Sequence, residues 1–181
     1  MLKRMFVALD LPAPLTQALA GLDPQLAGVR WLPAAQLHLT LGFLAAVAAE
    51  HEQRLSAALA ALRVAQFQLA LRGLGSFTWN GRPSVVWVGI ANPPPLLELQ
   101  RRIHHAVLGA GLVPDPKPFQ PHITVARCKG LAGQALRPLL ERHQHSDFGT
   151  FEATGLTLYA SILHLHGPEH VPVLQQGFDS P

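Results

Sequence analysis

Two strings of the same type, His38-Leu39-Thr40-Leu41 and His122-Ile123-Thr124-Val125, recur in a chain of 181 residues. Each lies in an apolar stretch that reads as a buried strand. Side chains alternate across a strand, so the histidine and threonine of each string share one face, while the two apolar residues enter a hydrophobic layer on the other. Two such strands facing each other would give a cleft two imidazoles and two hydroxyls in nearly symmetric places. That set suits hydrolysis of a phosphodiester, in which the entering and leaving oxygens stand on roughly opposite sides of phosphorus. One imidazole takes a proton from water and the other gives one to the departing sugar oxygen. Histidine can do either near neutrality, because its unperturbed pKa is about 6.5. Each positioned transfer contributes roughly 10²- to 10⁴-fold. The hydroxyls of Thr40 and Thr124 can donate to the non-bridging phosphoryl oxygens, where charge develops in the transition state. Nothing in this scheme calls for a metal or a cofactor. A single string of this kind is most often structural; two in matching places favour the functional reading.

The surrounding elements must hold these strands. Met5 to Leu9 reads as a first strand closed by Asp10-Leu11-Pro12, and Pro14 to Leu26 as a helix with Leu15, Leu19 and Leu22 on one face. Leu37 to Leu44 is the first motif strand, and the alanine-rich Ala48 to Leu62 is a helix with Leu55, Leu59 and Leu62 at helical spacing. Phe67 to Leu74 alternates and runs into a glycine-rich bend; Val85 to Ile90 is a further strand. Leu96 to Leu108 continues as a helix after three prolines, stopped by Gly109 and Gly111. His122 to Ala126 is the second motif strand, and Phe151 to Leu158 with Ile162 to His166 reads as a closing pair.

The halves repeat one order of elements. FVALDLPAP, a helix and a proline loop lead into HLTL, and VVWVGIANPPP, a helix and PDPKPFQP lead into HITV. Two copies do not make a solenoid. They predict an α+β protein of two pseudo-symmetric lobes, each an antiparallel or mixed sheet with outer helices, and an active-site cleft between them. No glycine-rich phosphate loop follows the first strand, which argues against a doubly wound parallel sheet.

Composition narrows the class. With 49% hydrophobic residues the chain can build a sizeable core, and residues 1–181 read as a single bilobal domain. The net charge of +3 and the ten histidines make acidic partners such as nucleic acid plausible. A lone cysteine, Cys128, fits a reducing compartment. Asp10 and Pro12 interrupt the N-terminal apolar run before a signal core or spanning helix is complete. The expectation is a cytoplasmic, monomeric protein with no membrane partner.

Taken jointly, these residues resemble the two-histidine phosphoesterases, whose signature is the paired HxTx motif, and within them the RNA 2′,3′-cyclic phosphodiesterases once called 2′-5′ RNA ligases. The likeness spans nearly the whole chain. It includes Arg4 to Pro12, Trp31, Gly42-Phe43-Leu44, Gly73 to Phe77 leading through Arg82-Pro83 to Val86-Trp87-Val88-Gly89, Pro118 to Pro121, Ala126-Arg127 and Leu158 to Ser161. The resemblance implies a metal-free active site between lobes that opens an RNA 2′,3′-cyclic phosphate, or a small cyclic nucleotide, to a 2′-phosphomonoester. It also implies that His38 is the general acid toward the 3′ oxygen and His122 the base; geometry alone leaves those roles interchangeable.

Other residues carry weaker signals. Arg127 resembles the family arginine after the second motif and could clamp the phosphate. It stands five positions beyond His122, however, and in an ideal strand would face away. Phe6 could stack on a base, and so could Trp31, although either suits the core equally. Tyr159 and Ser161 share a parity that borders the cleft. His164, His166 and His170, and His143 with His145, mimic metal spacings but lack a companion Cys or carboxylate, and His104-His105 diverge on a helix. The tail Gly167-Pro168-Glu169-His170 has histidine where the family usually carries tyrosine, so that tyrosine's contact does not transfer. Cys128 has no evident activating base. Two alternatives stand beside hydrolysis: ATP-independent 2′-5′ ligation by the same site, and a non-catalytic module that binds RNA ends.

Overall fold

The structure, a computed structural model, describes residues 2–129, 133–165 and 167–180. Nine strands and four helices are present among them, in the order β1 (Lys3–Asp10), α1 (Ala13–Ala20), β2 (Val29–Trp31), β3 (His38–Val47), α2 (Ala49–Ala60), β4 (Phe67–Trp79) and β5 (Arg82–Ile90). There follow α3 (Pro94–Gly109), β6 (His122–Cys128), α4 (Gly133–Arg142), β7 (Asp147–Ala153), β8 (Gly155–His164) and β9 (Gly167–Gly177).

The strands form two sheets, β3-β1-β8-β9 and β2-β6-β5-β4-β7. Every pairing within them is antiparallel, so the α+β expectation holds and its mixed-sheet variant does not. Each motif strand lies beside the strand that opens its repeat: β3 on β1, and β6 on β5.

The sheets do not divide the chain into halves. β2 leaves the first repeat to pair with β6, and the Leu32 N–H continues that ladder to the Val125 carbonyl at 2.8 Å. At the other end, the expected single strand from Phe151 to Leu158 breaks at Thr154. Its first part, β7, pairs with β4 in the second sheet; its second part, β8, pairs with β1 in the first. Gly155 sits at this crossing because a Cβ there would lie 2.7 Å from the Gln176 carbonyl. The closing pair is therefore β8 with the longer β9 rather than Phe151–Leu158 with a strand at 162–166, and His166 lies outside the described residues. α1 stops at Ala20, short of Leu26, where Gly21 caps it and Pro24 follows. β4 runs past its expected end at Leu74, because Gly73 takes the left-handed conformation (φ +76°) as a bulge and the ladder to β5 resumes. α4 contains Pro138, which hides a helix from propensity arguments.

The apolar faces of both sheets and the helices share one core. Leu96, Leu99, Ile103 and Val107 of α3 and Leu55 and Leu59 of α2 are buried at steps of three and four, and join Leu39, Leu41, Ile123 and Val125 from the motif strands. Because that face of each motif strand is locked into the core, the histidines and threonines must point the other way. Among the described residues no helix is long and apolar enough to cross a membrane.

Candidate active site

The two motif strands, although in different sheets, lie alongside each other. The connection is short: Trp31 pairs with Ala126 of β6, and a 3-10 turn at Ala34–Gln36 then delivers the chain to His38. Trp31 anchors this path. It is buried, and its indole N–H donates to the Leu19 carbonyl at 2.9 Å, so it serves the core and not a base.

A carbonyl two residues upstream holds His122, whose Nδ1 donates to the Gln120 oxygen at 2.6 Å; at His38 the nearby Gln36 backbone favours the charged ring. A carbonyl only accepts, so at His122 the proton sits on Nδ1 and Nε2 is left for chemistry. An aromatic ring braces each imidazole. Phe6 stacks on His38 with centroids 4.8 Å apart, and Phe77 meets His122 edge-on, also at 4.8 Å.

The last residue of each motif is a β-bulge. On β1 the partners of Val7 and Ala8 are Gly42 and Thr40, which leaves Leu41 as an extra residue; on β5 the partners of Val86 and Trp87 are Ala126 and Thr124, which leaves Val125 extra. Alternation therefore resets, and the residue five places after each histidine returns to the histidine face. That residue is Arg127 in one strand and Phe43 in the other. An ideal strand would have turned Arg127 away; the bulge turns it inward, where its charge lowers the pKa of both His38 and His170.

The electrostatics differ between the two imidazoles. Burial, then the neighbouring His170, push the His38 pKa down to about 4, against the pull of the Gln36 carbonyl and Asp10. Burial also lowers that of His122, with no neighbouring charge contributing. Asp10, the cross-strand partner of His38, accepts hydrogen bonds from Thr157 Oγ1 and Tyr159 Oη, each at 2.6 Å. Burial and this carboxylate raise the Tyr159 hydroxyl to about 12, so it stays a donor.

The structure brings together most, but not all, of the residues the sequence singles out. His38 and Thr40 share one face of β3, His122, Thr124 and Arg127 share one face of β6, and the two strands adjoin. Phe6 lies on the same face but is only 1% exposed beneath His38, Tyr159 and His170, so it floors an imidazole and offers no surface to a base. His170 joins the site as a third imidazole, 5.2 Å from His38 and edge-on to it. His164 and His143 are engaged elsewhere, by Glu169 at 2.7 Å and Ser146 at 3.0 Å. Burial pushes the Cys128 thiol up, the opposite of what a nucleophile needs. Sequence reasoning misses Asp10, Phe77 and Trp87. Trp87 pairs with Thr124, and its indole N–H is buried without a partner among the described residues. The glycine-rich bend held a signal for it: Gly75 leaves room for the Trp87 ring, which a Cβ would approach to 2.3 Å.

Adjoining motif strands from two antiparallel sheets, each carrying a histidine and a threonine on one face, define a protein of the two-histidine phosphoesterase class. Residues 11–163 match the model of the 2′-5′ RNA ligase superfamily, and the chain belongs to that family. The RNA 2′,3′-cyclic phosphodiesterase of Aeropyrum pernix is 34% identical over 133 residues, covering 72% of this chain and 76% of its own length. The protein of the same name from Escherichia coli K12 is 37% identical over 130 residues, covering 69% and 72%. Among solved structures, E. coli LigT in apo form superposes with a TM-score of 0.79 at 30% identity over 98% of both chains. LigT complexed with 3′-AMP superposes with a TM-score of 0.80 at 30% identity, over 98% of this chain and 99% of its own.

Proposed function

We propose that this protein hydrolyses RNA 2′,3′-cyclic phosphate ends to 2′-phosphomonoesters, with His122 as general base toward water and His38 as general acid toward the 3′ oxygen. The observation that carries this reading is the matched placement of the two imidazoles: each sits beside a threonine on its own strand, each strand bulges at the last motif residue, and the strands adjoin.

The roles follow from the asymmetry around that pair. His122 has a lowered pKa and is neutral near pH 7, as a base must be. Its Nδ1–H is fixed on Gln120, so Nε2 presents a lone pair to water. The attacking oxygen loses its proton to Nε2, the bond from phosphorus to the 3′ oxygen breaks, and His38 delivers a proton to that oxygen. His38 acquires this proton together with the substrate. Its pKa is held near 4 by burial, by the neighbouring His170 imidazole and by the Arg127 charge, and the cyclic phosphate offsets that positive charge with its own. Thr40, Thr124 and Arg127 hold the non-bridging oxygens, where fixed donors are worth roughly 10²- to 10³-fold each. Acid, base and charge stabilisation are all supplied by side chains, so turnover is expected to persist in EDTA. The whole chain acts as one bilobal unit and needs no second copy to complete the cleft.

The test is turnover of an oligonucleotide ending in 2′,3′-cyclic phosphate, with the position of the product phosphate identified. His38→Ala and His122→Ala are each expected to lose turnover by several orders of magnitude while still binding the substrate. Turnover undiminished in either variant would sink the acid–base pair, and a 3′-phosphate product would reverse the two roles. Ligation to a 2′-5′ linkage would use the same groups, with an RNA 5′ hydroxyl in place of water attacking the cyclic phosphate and the same bond to the 3′ oxygen breaking, and needs no ATP.

A further inference from the structure

We propose that Arg30, beside the Arg127 that serves the reacting phosphate, binds the phosphate one nucleotide upstream of the cyclic end, so that the site prefers the ends of RNA chains to single cyclic nucleotides. This rests on the cyclic phosphodiesterase reading above.

Arg30 of β2 is the register partner of Arg127 of β6. Partners in an antiparallel ladder project to one face with Cα atoms about 4.5–5.5 Å apart. That face is the histidine face of β6, because the bulge at Val125 returns Arg127 to the side of His122. The roll of β2 is fixed: the next residue, Trp31, is buried and bonded to the Leu19 carbonyl, so Arg30 alternates to the opposite side. Lys129, whose N–H carries the ladder on to the Gly28 carbonyl at 2.8 Å, follows at the same parity as Arg127.

Like charges directly opposite each other destabilise a sheet. Among the described residues, the carboxylates that form ion pairs are engaged with Lys3, His51, Arg101, Arg137 and His164, and none pairs with Arg30 or Arg127. A phosphate at each guanidinium group offsets the repulsion. Arg127 stands nearest the imidazoles and serves the reacting phosphate. Arg30, one strand further out at the sheet edge, is placed for a second one. The equivalent place on the other motif strand holds Phe43, which is uncharged and 49% exposed. The cleft is thus cationic on one side and aromatic on the other, and a second phosphate has one direction to go. A mononucleoside 2′,3′-cyclic phosphate has no such group, whereas a chain end carries one on its 5′ side.

The experiment compares a dinucleotide ending in 2′,3′-cyclic phosphate, its uncharged methylphosphonate-linked analogue, and a mononucleoside 2′,3′-cyclic phosphate. The wild-type protein is expected to favour the charged dinucleotide in kcat/KM by about 10- to 100-fold, the value of one charge-assisted contact, mainly through KM. Arg30→Gln is expected to abolish that advantage and leave the mononucleoside's kcat and KM unchanged, with Arg30→Lys restoring part of it. The proposal is overturned if the wild type shows no preference, if the methylphosphonate is as good a substrate, or if Arg30→Gln slows all three equally. Fluorescence anisotropy with the charged dinucleotide separates this from the reaction itself. Should the wild type bind it, lose it on Arg30→Gln and hydrolyse nothing, the second-phosphate contact stands and the hydrolytic reading falls.

Discussion

The His38 pKa of about 4 in the free protein has a measurable consequence for substrate binding. A general acid working near neutrality needs a pKa near about 7 at the moment of reaction. The substrate must therefore raise that of His38 by about three units, equivalent to roughly 4 kcal/mol of coupling between phosphate and proton. Between the two values the complex holds one proton more than the free protein. The sign follows: affinity is greatest at low pH and weakens about tenfold per unit as pH rises through that window, roughly 10³-fold in all. The assay is titration calorimetry with His122→Ala, which holds the substrate without hydrolysing it, in buffers of different ionisation enthalpy. A cyclic diester has no proton of its own to exchange near neutrality, so uptake reports the protein. Close to one proton is expected at about pH 6, and close to none when His38→Gln is added to His122→Ala. Affinity that does not vary with pH, or uptake that survives the His38 substitution, would refute the charge coupling on which the acid role depends.

Two further outcomes follow from the same site. The free protein keeps His38 neutral where an unfolded chain, with a pKa of 6.5, would charge it, so stability falls as pH drops from about 6.5 to 4. The loss reaches at most about 3 kcal/mol, and His38→Gln should flatten the pH dependence of the urea midpoint over that range. Gly75→Ala should drive a Cβ to 2.3 Å from the Trp87 ring, with a stability cost of about 1–3 kcal/mol. Because Trp87 neighbours Thr124, kcat should fall as well; an unfolding midpoint and a kcat both at wild-type values would show that the ring is free to move.

Much of the site was legible because the HxTx strings obey a local rule. Alternation along a strand places His38 with Thr40 and His122 with Thr124, whatever surrounds them, and the apolar residues between them require a core on the other side. The amphipathic faces of α2 and α3 were legible for the same reason. Arg127 was the test of how far such a rule extends: parity alone turns it outward, and the bulge at Val125 turns it inward. A bulge is a mismatch between two strands, one carrying a residue more than its partner opposes, and neither sequence contains it alone. His170 marks the same boundary. Its contact with His38 depends on β9 pairing with β8 and β8 with β1, a chain of neighbours set by sheet order.

By itself, then, the order of residues determined which groups could do chemistry, which faces they occupy on their own strands, and that the chain repeats one plan. Tertiary structure alone decided that β2 and β8 cross between sheets, that Arg30 opposes Arg127, and that His170 packs edge-on against His38. Side-chain alternation is set by bonds between adjacent residues; strand partners, register and burial are set by the lowest free energy of the whole chain.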